Sequence, residues 1–137
     1  MKSDMLSLFD NPEYAQLAFD SRENYRTNQP CRHIVLDDFL PINVAEELSR
    51  GYPKLDNNEI NFTLHSHENT NRYFVDDVRM FSPCLRLFSQ AVNSRSFILF
   101  LETLTGIKAL LPDPYFMGGG AMITNSGGLL NVHVDFN

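Results

Sequence analysis

Apolar residues recur every third or fourth position in four stretches of the chain and every second position near its end, which predicts helices first and strands last. Over residues 11–27, Tyr14, Leu17, Ala18 and Tyr25 form one stripe. Asn11 is a capping residue there, Pro12 suits the first helical position, and Glu13 complements the positive end of the helix dipole. After Pro30, His33-Ile34-Val35-Leu36 predicts a short strand closed by Asp37-Asp38. A second helix opens at Pro41, turns Val44, Ala45 and Leu48 inward and stops at Gly51, just before Tyr52-Pro53.

Residues 54–70 are rich in Asn, Asp, Glu, Ser, Thr and His and predict a long surface loop, a candidate contributor to substrate choice. Tyr73 to Val78 is weakly strand-like. Pro83 then begins a helix running to about Val92, and Ser94 or Ser96 caps another over Phe97–Thr105, with Gly106 as its left-handed stop. That helix is apolar on three sides, so burial is expected. In the last third, Gly118-Gly119-Gly120 and Gly127-Gly128 punctuate two apolar stretches, which predicts two strands joined by a turn near Asn125-Ser126-Gly127-Gly128.

Composition narrows the function classes. With 43% hydrophobic residues over 137 positions, there is enough apolar side chain for one packed domain, and whole-chain disorder is excluded. Eleven basic against seventeen acidic residues give a net charge of -6, so neither nucleic acid nor an anionic membrane is an expected partner. Cys31 and Cys84 form no CxxC, and the opening residues contain no apolar leader. A reducing, cytoplasmic location is the expectation.

The chemistry concentrates at the end of the chain. In the terminal alternation, Leu129, Asn131, His133 and Asp135 share one face, and Leu130, Val132, Val134 and Phe136 the other. An imidazole and a carboxylate separated by one residue on an extended strand can share one divalent ion, and they supply two parts of a 2-His-1-carboxylate triad. The same pair also fits a surface histidine beside a turn aspartate. Elsewhere, His65-Ser66-His67-Glu68 reads as solvated loop, His33 as a structural histidine, and Asp37-Asp38 and Asp76-Asp77 as solvated turn charges. The glycine runs lack the Lys-Ser or Lys-Thr of a phosphate cradle, and neither cysteine sits in a nucleophile motif.

Three segments carry a family resemblance: His33-Ile34-Val35-Leu36-Asp37-Asp38-Phe39-Leu40-Pro41; Phe97 through Leu104-Thr105-Gly106-Ile107; and Leu111-Pro112-Asp113-Pro114-Tyr115 leading through the glycine runs to Asn131-Val132-His133-Val134-Asp135-Phe136-Asn137. From about residue 30 onward the chain resembles the 2-oxoglutarate and iron(II)-dependent oxygenase superfamily, in its prolyl-4-hydroxylase-like branch. The resemblance implies an α+β fold in which N-terminal helices (1–110) pack on the first strands (111–137) of an incomplete double-stranded β-helix of the jelly-roll or cupin-like type. It implies His133 and Asp135 as the first two iron ligands, Fe(II) and 2-oxoglutarate as cofactor and co-substrate, and ascorbate as a candidate reductant. The implied reaction decarboxylates 2-oxoglutarate to succinate and hydroxylates a C–H bond of a small molecule or protein side chain.

The family's second histidine and its Arg or Lys anchor for 2-oxoglutarate follow this motif and do not occur before Asn137, and Ala121-Met122 stands where close relatives are expected to carry Leu-His. The expectation is therefore an N-terminal part of a single oxygenase domain, inactive alone. The alternative is a catalytically incomplete remnant that serves as a structural or binding module. An unpaired final strand further implies self-association.

Overall fold

The computed structural model describes residues 5–54, 63–64, 69–116 and 119–132. Within them the fold is mixed helix and sheet, in agreement with an α+β class.

A 3-10 helix, Met5–Asp10, leads into α1, Pro12–Thr27. The cap is the one the sequence predicts: the Asn11 side chain accepts from the Glu13 N–H at 3.0 Å and its amide donates to the Glu13 carboxylate at 3.0 Å. Tyr14, Ala18 and Ser21 are the buried face. Helix α1 packs on α4, Arg95–Thr105, which begins after a Ser94 cap and ends at left-handed Gly106, φ 78°. Burial of α4 is one-sided. Ile98, Phe100 and Leu104 are enclosed, whereas Leu99 is 42% exposed, because α1 and the Met5–Asp10 helix cover only one side.

Helix α2, Ile42–Gly51, buries Val44 and packs against α3, Pro83–Ala91. Gly51 is the last helical residue rather than a left-handed stop, and close packing explains it. A Cβ there would lie 2.7 Å from Ser82 Oγ and closer still to Cys84 Sγ, so only glycine lets α2 approach the start of α3. Ser82 caps α3, and Asp77 caps a 3-10 turn, Val78–Met80, that precedes it.

The sheet is antiparallel, in the order β1 (Thr63–Leu64), β2 (Asn69–Val75), β3 (Ala121–Leu130). It begins earlier than residue 111: the stretch expected to be loop over 54–70 contains β1 and the start of β2, and apart from Lys54 the rest of that stretch lies outside the described residues. The strand predicted at His33–Leu36 does not form. Ile34 and Leu36 still pack against the helical core while Val35 stays exposed, so the alternation is real, but among the described residues no strand pairs with it to complete a ladder. The two strands predicted around Asn125–Gly128 are one strand, β3, because both halves pair with β2. Ala121–Thr124 runs against Arg72–Val75 and Leu129–Leu130 against Asn69–Thr70. Between them Asn125–Gly128 bulges opposite the single residue Asn71, with Asn71 at φ 51° and Gly127 at φ 74°.

Two apolar clusters result. The larger gathers Phe9, Tyr14, Ala18, Ala91, Phe100 and Leu104, and the smaller Val75, Phe81, Leu85 and Ala121. Phe9 is the hub of the first, with ring centroids 4.5 Å from Phe97 and 5.0 Å from Tyr14. Phe9→Ala is expected to cost about 3–5 kcal/mol of stability, the range for truncating a buried phenylalanine, measured by urea denaturation.

Candidate metal centre

The chain reaches its predicted ligands from β3. Just before that strand Gly120 runs close against β2, where a Cβ would meet the Val75 carbonyl oxygen at 2.7 Å and the Phe74 ring at 2.5 Å. Gly120 therefore serves backbone approach to β2. At the other end, Leu129 and Leu130 pair with β2, and Asn131 and Val132 lead outward, Val132 fully exposed. His133 and Asp135 follow directly and lie outside the described residues, as do His65 and His67. Among the described residues, no group of three or more His, Cys, Asp or Glu is placed to hold a metal.

Other sequence candidates have structural partners. His33 Nδ1 lies 2.8 Å from the Cys31 carbonyl oxygen, and the His33 carbonyl accepts from the Asn28 amide at 3.1 Å, in keeping with a structural histidine. Cys31 and Cys84 are free thiols; Cys84 Sγ contacts Ser82 Oγ at 3.2 Å and the Glu47 carbonyl at 3.6 Å. Asp37 and Asp38 are exposed, Asp38 at φ 52° in a turn.

Asp77 departs from its expected role as a solvated charge. Its carboxylate accepts from the Arg79 N–H at 2.9 Å and from the Arg79 guanidinium at 2.7 to 3.0 Å. These side-chain and backbone hydrogen bonds lower its pKa to about 2. In the helical core, burial and then the Glu13 charge raise the Tyr14 phenol above its ordinary value, and its hydroxyl donates to the Phe39 carbonyl at 3.0 Å.

Beside the start of β3 a cleft of about 480 Å³ opens between α3 and Asp113, Phe116 and Gly119 to Ala121. Tyr52, Phe81, Phe88 and Phe116 give it an apolar wall. Its polar members hold one another: Asn93 accepts from the Asp113 N–H at 2.7 Å and donates to the Ser89 carbonyl at 3.1 Å.

A contact with no sequence signal fixes β3 itself. The Tyr52 hydroxyl donates to the Met122 carbonyl at 3.0 Å and accepts from the Met122 N–H at 2.9 Å, tying the end of α2 to the strand. The Arg72 guanidinium contacts the Met122 thioether sulfur from β2.

No protein family, curated protein or solved structure matches the chain. Among the described residues, no helix is long and apolar enough to cross a membrane.

The Asp77 arrangement has a measurable consequence. Because its folded pKa is depressed, its contribution to stability is present above the ordinary value of 3.8 and is lost as pH falls toward 2. An NMR titration of the Asp77 carboxyl should show a midpoint of about 2, and Arg79→Ala should return it toward 3.8.

Proposed function

We propose that this chain forms the first part of an iron(II) and 2-oxoglutarate-dependent dioxygenase domain, with His133 and Asp135 as two of three protein ligands to the ion. The observation that supports this reading is the entry into the motif. The chain arrives at His133 from β3, an antiparallel strand at the end of a sheet, and the family resemblance places its motif on such a strand. On this reading β1, β2 and β3 belong to the jelly-roll, and the helices α1 to α4 are its N-terminal support.

The donor set suits the ion. A neutral imidazole nitrogen and a carboxylate oxygen are the ligands an octahedral iron(II) site uses when it must keep positions open for a co-substrate and oxygen. When bound, iron(II) with 2-oxoglutarate supplies the oxidising power for C–H hydroxylation. This chain's own share is to hold the ion: His133 donates a lone pair, and Asp135 offsets part of the positive charge. Tyr52 and the Gly120 approach steady β3, the strand that precedes both in the chain. The substrate is a small molecule or a protein side chain, and the proposed location is the cytoplasm.

Anaerobic calorimetric titration with iron(II), in the presence of 2-oxoglutarate, tests the assignment. His133→Ala or Asp135→Ala should each weaken binding by about tenfold or more, by comparison with the effect of losing even a supporting residue of a metal site. In parallel, the visible charge-transfer absorption of the ternary complex should depend on His133. Iron(II) affinity equal in the unsubstituted chain and in the double variant would sink the reading.

A further inference from the structure

Two asparagines of the chain are followed by serine, in Asn93-Ser94 and Asn125-Ser126, and none is followed by glycine or alanine. The backbone nitrogen after an asparagine can attack that asparagine's own side-chain amide. A following residue that is small and not β-branched crowds the attack least. By local sequence the two pairs are therefore equivalent, and the strongest candidates in the chain. The fold makes them unequal.

Asn93 is held on every side that the reaction needs. Its side-chain oxygen accepts from the Asp113 N–H at 2.7 Å, its amide nitrogen donates to the Ser89 carbonyl at 3.1 Å, and the Ser94 N–H, the group that would attack, donates to the Ala91 carbonyl at 3.0 Å. All three bonds must open before Ser94 N can reach Asn93 Cγ. Asn125 and Ser126 are exposed, and they lie in the bulge of β3, where no residue from Asn125 to Gly128 has a register partner on β2. Turning the Asn125–Ser126 peptide toward the side chain thus breaks no register pair. Gly127, already at φ 74°, and Gly128 follow without a Cβ to resist the turn. Among the described residues the Asn125 side chain has no hydrogen bond to release.

We propose that Asn125 is a site of spontaneous modification, which the bulge of β3 opens to deamidation while the fold protects Asn93. The Ser126 backbone nitrogen bonds to Asn125 Cγ, the Cγ–Nδ2 bond breaks, and ammonia leaves with the proton that the Ser126 nitrogen gives up. Water then opens the cyclic imide. Opening at the Asn125 backbone carbonyl leaves isoaspartate, with the chain running through Cβ, and opening at Cγ leaves aspartate. Nothing is oxidised or reduced, and water is the one co-reactant. Either product puts a carboxylate into a stretch, Tyr115 to Val134, that carries no Asp or Glu, next to Thr124, whose partner across the ladder is Arg72. Isoaspartate also lengthens the bulge by one backbone carbon. The irregular part of β3 is thereby marked by the age of the molecule. The proposal stands on the bulge and is independent of the metal assignment.

Peptide mapping by mass spectrometry, on folded chain held at mildly alkaline pH over a time series, tests it with Asn93 as the reference inside the same molecule. Asn125 should lose its amide about tenfold faster than Asn93 or more, the weight of the hydrogen bonds that Asn93 must first release. In urea sufficient to unfold the chain, the two rates should converge. Ser126→Val places a β-branched residue on the attacking nitrogen and should slow conversion at Asn125 while leaving Asn93 as it was. Isoaspartate should appear among the products at Asn125, because direct hydrolysis of the amide yields aspartate alone. Equal loss of the two amides in the folded chain, or faster loss at Asn93, overturns the proposal. So does conversion at Asn125 that Ser126→Val leaves unchanged, or that gives aspartate with no isoaspartate.

Discussion

Phe9 comes from a 3-10 helix of six residues, an element too short to be stable alone, yet its ring meets four others from separate parts of the chain. Tyr14 approaches it edge-on from α1, Phe39 stacks at 5.9 Å from the irregular segment before α2, Phe88 stands 6.4 Å away on α3, and Phe97 lies closest on α4. Each pair gains from the offset or edge-to-face arrangement of ring quadrupoles in addition to the burial of apolar area. The placement of α1 on α4, and of both on α3, depends on that ring. The short N-terminal helix is therefore the piece around which the longer helices are ordered.

Helix α3 carries this order to the sheet. Phe88 and Ala91 belong to the aromatic cluster, and Leu85, one turn earlier, belongs to the cluster with Val75 and Ala121 on β2 and β3. One helix thus has a residue set in each core. Gly51 brings α2 against the same helix, and Tyr52, the next residue, reaches β3. The position of the strand that leads to His133 is set through this relay from the helical core, although no helix touches the motif in sequence.

The elements legible in the sequence are those whose signals are local. Asn11 and Ser94 accept from backbone N–H groups within three residues, and Gly106 takes the left-handed conformation at the end of its own helix, so neighbouring residues suffice to place them. Elements that need a distant partner were not legible. Ile34 and Leu36 alternate as a strand would, but a strand is defined by its neighbour, and among the described residues none pairs with them. The residues of Asn125–Gly128 predict a turn between two strands, whereas one strand runs through them. Their meaning as a bulge depended on β2, which lies some fifty residues earlier. Tyr52 and Met122 are 70 residues apart, and nothing near either one announces their contact. For the candidate centre, the residue types and spacing of His133 and Asp135 were readable, while their surroundings were not.

The bulge at Asn125–Gly128 also acts as a phase shifter. Because four residues of β3 stand opposite one of β2, the strand gains an odd number of positions, and the side-chain alternation after the bulge is inverted relative to that before it. Leu130 consequently shares a face with Ala121 and Ile123, the side on which Ala121 joins the Val75 cluster, and Leu129 falls on the opposite face with Met122 and Thr124. Had the strand run straight through, those assignments would be exchanged. The length of this irregular segment is thus a sorting device. A single inserted or deleted residue there would leave the composition of the strand almost untouched, and would reverse which residues the end of the strand offers to the interior and which to solvent.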